Sequence, residues 1–429
     1  MHRRVPILAG LLFLAGCGGT ETDNPAAPPL PEVARSSLGY DTAPQVSPET
    51  QAAVTSDLND FGLDVLRGLA PSDQNFVLSP VSGFLALTMT SAGAQATTAD
   101  EMKAVLYPNV PMAEIHPATN LLGQRVRGYA RAAAQTDQGE KKVEVNLAND
   151  DFVQKGFAIE QPFLDTLAVN YDCGVELVDY VGDPEAARGL INNWVAKETA
   201  NRIQDLLGPG AVNTNTLLVL VNALRLYASW NTVFDARSTQ PGTFHGVAGD
   251  TTADMMHGSI DAYYAAGTGW VAVDVPYYGG SLVFTAVLPD AGQFDALRSS
   301  LDAAWLANLD ATSAGQEVAL TLPKFKLTGP TLSWKQTLQA LGMATLFEPG
   351  TCNLTGINPN EALFVENVFQ QAFLELNEAG TEAAAATAVV VGRLSIATSV
   401  VLDRPFLFFL RERGGPVLFA GQITALPAG

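Results

Sequence analysis

The sequence predicts an α+β fold with large antiparallel or mixed sheets. Helical periodicity is concentrated early in the chain and strand-like runs late, instead of the strict alternation that builds a parallel sheet. No period of about 20 to 50 residues repeats, which excludes a solenoid. The 429 residues are 47% hydrophobic, which suffices to bury one large core or two ordinary ones and excludes overall disorder.

Residues 1–16 read as a signal peptide: a basic start, His2-Arg3-Arg4, an apolar run from Val5 to Leu14, then Leu14-Ala15-Gly16-Cys17. The run is shorter than the ~20 apolar residues a bilayer helix needs. Its end resembles a bacterial lipobox, which implies that Cys17 is lipidated and becomes the new N-terminus; an ordinary cleaved signal beside a stray cysteine is the alternative. Several acyl chains, at about 0.8 kcal/mol per buried methylene, would hold such a protein firmly on a membrane. Gly18 beside Cys17 implies sorting to the outer membrane or surface of a Gram-negative cell. Residues 17–52 are rich in Pro, Ala, Thr, Ser and acidic groups without periodicity and are expected to be a flexible tether, with the folded domain over 53–429.

Within that domain, Leu58, Phe61, Leu63, Val65, Leu66 and Leu69 fall near helical spacing before Pro71, and Ser82 to Ala92 reads as a helix buried all round. Val143 to Gln154 and Glu176 to Tyr180 read as strands, and Pro184 to Leu207 as a helix. The run Leu217 to Leu224, apolar apart from Asn222, predicts a strand buried on both faces. Further strands are expected at Trp270 to Val275, Leu282 to Leu288, Val318 to Leu322, Phe364 to Leu376, Phe406 to Leu410 and Val417 to Ile423.

A formal charge of −20 argues against nucleic acid and polyanionic partners, which require clustered Lys and Arg. The one basic cluster, Arg125, Arg127, Arg131, Lys141 and Lys142, reads as a solvated helix face more readily than as a heparin-like site. Cys173 and Cys352 are too few for a disulfide framework and are expected as free, partly buried thiols. His116, His245 and His257 show no metal spacing, so neither metal nor cofactor is expected. G-x-S-x-G, S-x-x-K with its partners, Walker and G-x-G-x-x-G motifs do not occur in the sequence, and no enzymatic activity is expected.

The remaining feature is the long connection over 378–404, whose core is Gly380 to Ser395. A compact domain rarely keeps such a connection without a use for it. Read with period two, Thr381, Ala383, Ala385 and Thr387 share one face and are small enough to slide over a packed core, while Glu382 points the other way. No proline occurs from Gly380 to Arg404, so every residue can donate to a ladder and the segment is built to become a strand. An Ala-rich helix or a flexible linker is the competing reading.

The run Glu378-Ala379-Gly380-Thr381-Glu382-Ala383-Ala384-Ala385-Ala386-Thr387 resembles the hinge of inhibitory serpins. Asn75 to Ser82, Thr97 to Met102, Val221-Asn222-Ala223 with Trp230 and Phe234, Met255-Met256-His257, Leu322 to Lys326, Leu341-Gly342-Met343 and Arg404-Pro405-Phe406 resemble serpin motifs in serpin order. The resemblance spans Ser56 to Pro427. It implies a single domain with three sheets, about nine helices and an exposed reactive-centre loop, acting as a monomer whose partner is a protease. It also implies a mechanism: the protease attacks the loop, forms an acyl-enzyme and is trapped when the freed segment inserts as a new strand, a transition that serves as a stock example of strand addition and stored strain.

Serpin spacing counted forward from Gly380 and backward from Pro405 puts the reactive bond at Leu394-Ser395, which suits chymotrypsin-, elastase- or subtilisin-like enzymes. Cleavage at Arg393-Leu394 by a trypsin-like enzyme, and a non-inhibitory serpin with a binding or chaperone-like role, are the alternatives. Where serpins carry a histidine in the polar cluster that controls sheet opening, this chain has Gln370, with Ser79, Ser82 and Asn222 as its implied partners. Glutamine can donate and accept, but it lacks the pH response of histidine.

Overall fold

A computed structural model describes residues 29–383 and 398–426. Cys17, Ala384 to Thr387, Arg393, Leu394 and Ser395 lie outside them. Among the described residues there are nine α-helices and two hydrogen-bonded sheets.

The chain folds earlier than its composition suggests. Glu32–Ala34 is a short strand antiparallel to Val175–Val178, and helix Pro48–Leu69 begins two turns before the apolar periodicity. Ser47 caps that helix by accepting from the Thr50 amide, Pro48 fits its first turn, and the first turns carry few apolar residues to advertise them. The tether expected over 17–52 is therefore corrected: from Glu32 onward it belongs to the folded body. The next helix, Pro80–Ser91, is capped by Ser79 and buried on all sides.

Helix Pro184–Glu198 stops nine residues short of the expected Leu207, because Ala200 and Asn201 adopt positive φ of 49° and 62°. The expected strand Phe364 to Leu376 is two strands, Asn367–Gln370 and Phe373–Asn377, with different neighbours.

The first sheet has ten strands. Its central strand Leu218–Ser229 pairs on one side with Gly139–Gln154. On the other side it pairs in parallel with Asn367–Gln370 at its N-terminal end, and antiparallel with the two-residue strand Gly380–Thr381 at its C-terminal end. The second sheet has nine strands. Two of the three expected sheets are hydrogen-bonded into this one continuous set, since the 19-residue strand Gly249–Gly267 pairs along its length with Gln240–Gly246, Ala314–Pro323 and Trp270–Pro276 and joins the smaller sheet to the larger. One contiguous apolar core runs between the sheets and under the helices, with a satellite cluster beneath helix Pro184–Glu198 that includes Phe152, Ile191 and Trp194.

The basic cluster is dispersed. Arg125 and Arg127 sit on helix Ile115–Arg127, whereas Lys141 is buried on a strand and donates to Gln138 Oε1 and Asn231 O, so no single helix face exists. Cys173 and Cys352 are free and half-buried.

Candidate functional site

The hinge begins as a tight return from strand Phe373–Asn377. Asn377 Oδ1 accepts from the Ala379 amide, and Asn377 Nδ2 donates to Ala383 O. Gly380 and Thr381 then pair with Ser229 and Ala228 on one side and with Asn377 and Leu376 on the other, antiparallel to both. Two residues of the loop are thus already a strand. Gly380 is required there: its φ is +146°, and a Cβ would meet Ala228 O at 2.0 Å.

Thr381 is fully buried, with Oγ1 2.5 Å from Tyr277 Oη. Tyr277 stacks on Trp230 with ring centroids 4.5 Å apart, and Trp230 Nε1 donates to Asn377 O. The Glu378 carboxylate accepts from Thr239 Oγ1 at 2.7 Å and pairs with Lys324 Nζ at 3.1 Å. Burial alone would raise the Glu378 carboxyl; Thr239 and Lys324 outweigh it and hold the group below its usual value.

The period-two pattern breaks at Glu382, whose φ of +52° is left-handed. Its amide donates to Glu375 O, and its buried carboxylate faces Arg225 at 3.3 Å and Arg202 at 3.4 Å. Desolvation raises this carboxyl, an effect the two guanidinium groups only partly offset. Ala383 follows at 5% exposure. The expectation that Glu382 simply alternates outward is therefore corrected: it turns the chain and anchors it.

Below the seated hinge the sheet is shut. Gln370 lies opposite Asn222, donates to Asn222 Oδ1 and Ser79 O through Nε2, and accepts from the Ser79 amide through Oε1. Ser82 joins less directly: its amide is 3.4 Å from Ser79 Oγ, and its hydroxyl is 2.9 Å from the Asn149 side chain. Ser79, Asn222 and Gln370 are thus brought together, with Ser82 at the margin. Between Asn222 and Ala228, residues 223–227 form the stretch of central strand where neither Asn367–Gln370 nor Gly380–Thr381 pairs.

Sequence reasoning singled out Trp230, Lys324 and the hinge. It missed Tyr277, Arg202 and Arg225, which meet the hinge from 104, 180 and 157 residues away and carry no local signal.

Comparison with known proteins adds to this geometry. The family described as "Serpin (serine protease inhibitor)" matches residues 56–426. The chain belongs to the serpin family. Serpins take proteases as partners and are not enzymes. An uncharacterised serpin-like protein of Thermococcus kodakarensis is 30% identical over 435 residues, covering 99% of each chain. Plasminogen activator inhibitor 1 of Sus scrofa is 31% identical over 378 residues, covering 85% of this chain and 90% of that one. The native-state crystal structure of tengpin, a thermophilic serpin, matches with a TM-score of 0.82 at 22% identity, covering 92% of this serpin and 100% of tengpin, a likeness of fold.

Proposed function

We propose that this serpin inhibits a serine endopeptidase, or a cysteine one, as a suicide substrate, with Leu394-Ser395 as the bait bond. The observation that carries the reading is the hinge: Gly380 and Thr381 are already paired between two parallel strands, and only small residues follow from Ala383 to Thr387. After cleavage and acylation, further residues zip into the gap beside 223–227. They must then part the four pairs Val219 to Asn222 with Asn367 to Gln370, along with the Gln370 hydrogen bonds. On the order of ten new ladder bonds, each contributing about 0.5 to 1.5 kcal/mol net, exceed what those pairs hold. The native state is thus kinetically held, and the acylated protease is carried along with the inserting strand.

Leucine before the bond suits the apolar pockets of chymotrypsin-, elastase- or subtilisin-like enzymes; Arg393 offers a trypsin-like enzyme the preceding bond. We further propose that lipid on Cys17 holds the inhibitor on the cell envelope. Incubation with chymotrypsin, elastase, subtilisin and trypsin tests inhibition. A complex stable on denaturing gels, with a released fragment starting at Ser395, is expected. Cleavage without a complex refutes inhibition in favour of a substrate-like or non-inhibitory serpin, and a fragment starting at Leu394 moves the bond to Arg393.

A further inference from the structure

A cavity of about 330 Å³ lies between the first sheet and helices Ile115–Arg127, Gln161–Tyr171 and Pro184–Glu198, remote from the hinge in the chain and unused by the inhibitory reading. Phe152 and Glu176 are directly paired across parallel strands, and Asp150 stands two residues from Phe152, so all three side chains share the face covered by helix Pro184–Glu198. Trp194 of that helix packs edge-on against Phe152 at 5.4 Å and lines the cavity beside Asp150, Glu176 and Glu198.

Asp150 and Glu176 are only 7% and 6% exposed, and among the described residues neither has a cation within ion-pair distance. Asp150 Oδ1 accepts from the Asp151 amide, whereas Glu176 Oε2 is buried without a hydrogen-bond partner. Of the two basic side chains in the wall, Lys197 pairs with Glu198 and acts on Glu176 only from beyond ion-pair distance, and Arg127 lies over the Tyr40 ring. Two carboxylates taken out of water without a paired counter-charge are costly. Burial first, then the charges of Glu176 and Asp151, push the Asp150 carboxyl well up, and burial, which the Lys197 charge and a Trp194 side-chain hydrogen bond offset only in part, pushes Glu176 to about 7.

We infer that this cavity binds a small organic cation, an ammonium or guanidinium on a short alkyl chain, through Asp150 and Glu176. The chemistry matches on each wall. The cationic head supplies the missing partner for Glu176 Oε2 and Asp150, and the alkyl stem runs along Trp194, whose ring face also favours a cation. The volume stands at the low end of small-molecule sites and fits roughly ten heavy atoms. Among the described residues no three His, Cys, Asp or Glu converge as metal ligands would, which favours an extended organic cation over a metal ion.

Agmatine and putrescine are the probes, with 1,4-butanediol as the neutral analogue and potassium chloride matching ionic strength. Calorimetric titration of the folded protein is expected to show saturable one-site binding of the diamines and none of the diol. The Asp150→Asn, Glu176→Gln double variant keeps the shape of the wall and should weaken that binding at least tenfold. Thermal unfolding of both proteins checks that the variant remains folded. Absence of saturable binding, equal binding by the double variant, or a stabilisation that potassium chloride reproduces through general screening of the −20 charge would each overturn the assignment.

Discussion

Gly380→Ala isolates the seated hinge from everything else in the molecule. The native φ of +146° lies where only glycine is at ease, and forcing alanine there costs about 1 to 3 kcal/mol before any contact is considered. The new Cβ would also stand 2.0 Å from Ala228 O and 2.9 Å from Ser229 Cα, both backbone atoms of the central strand that cannot rotate aside. Against this, docking rests on the Thr381–Tyr277 hydroxyl contact, the Glu382 amide bond to Glu375 O and the short ladder to Ala228 and Ser229. At about 0.5 to 1.5 kcal/mol each, these sum to roughly 2 to 5 kcal/mol, which strain and clash together match. The hinge is therefore expected to leave the sheet. Native-state hydrogen exchange should show protection of the Glu382 amide falling by at least about tenfold, with a change in fluorescence from Trp230, which stacks on Tyr277. A Glu382 amide as protected in the variant as in the wild type would refute the argument that glycine is what permits the docking.

Thr381→Arg should raise the amount of serpin consumed per protease inactivated by about tenfold, read by titration against chymotrypsin, because a charge would have to enter a fully buried site. Gln370→Leu removes three hydrogen bonds and leaves the Ser79 amide and carbonyl and Asn222 Oδ1 without them, so the urea midpoint should fall by the equivalent of about 2 to 4 kcal/mol. Asp151 bears on pH dependence: burial pushes its carboxyl up to about 7, a Thr90 hydrogen bond opposing this only in part. Its stabilising protonated form is fully present below the unfolded value near 3.8 and is lost as pH rises to about 7, so Asp151→Asn should leave stability unchanged at pH 4 and raise it by up to about 4 kcal/mol at pH 8. Denaturant melts across that range check the sign; a variant less stable than wild type at pH 8 would contradict it.

Much of the fold was legible because it rests on local pattern. The apolar run at Leu217 to Leu224 became the centre of the first sheet, and the all-round apolar helix after Ser79 became the buried one. Where local pattern is silent, expectation stopped short. Polar turns at Pro48 to Ala53 hold helix through a cap and tertiary packing, and the kink between Gln370 and Phe373 exists because the neighbours on either side differ. At the site, the small-residue hinge could be read directly, whereas the Tyr277 hydroxyl and the arginines around Glu382 could not, since only long-range folding brings them there. The left-handed turn at Glu382 follows from those arginines and from its bond to Glu375 O, and no dipeptide preference announces it.

The strand Glu32–Ala34 has a consequence for self-association. A sheet with a gap for a segment of its own chain is also exposed to segments of neighbouring molecules, and an uncovered outer edge would add a second template for such pairing. Here the edge strand Val175–Val178 is covered by only three residues, so little ladder is left to copy. Charges flank it: Glu32 pairs with Lys155, and Arg35 with Asp172. An incoming strand would have to displace or bury them. The N-terminal segment thus keeps the rim of the sheet short and charged, and directs strand addition to the interior position that Gly380 and Thr381 already occupy.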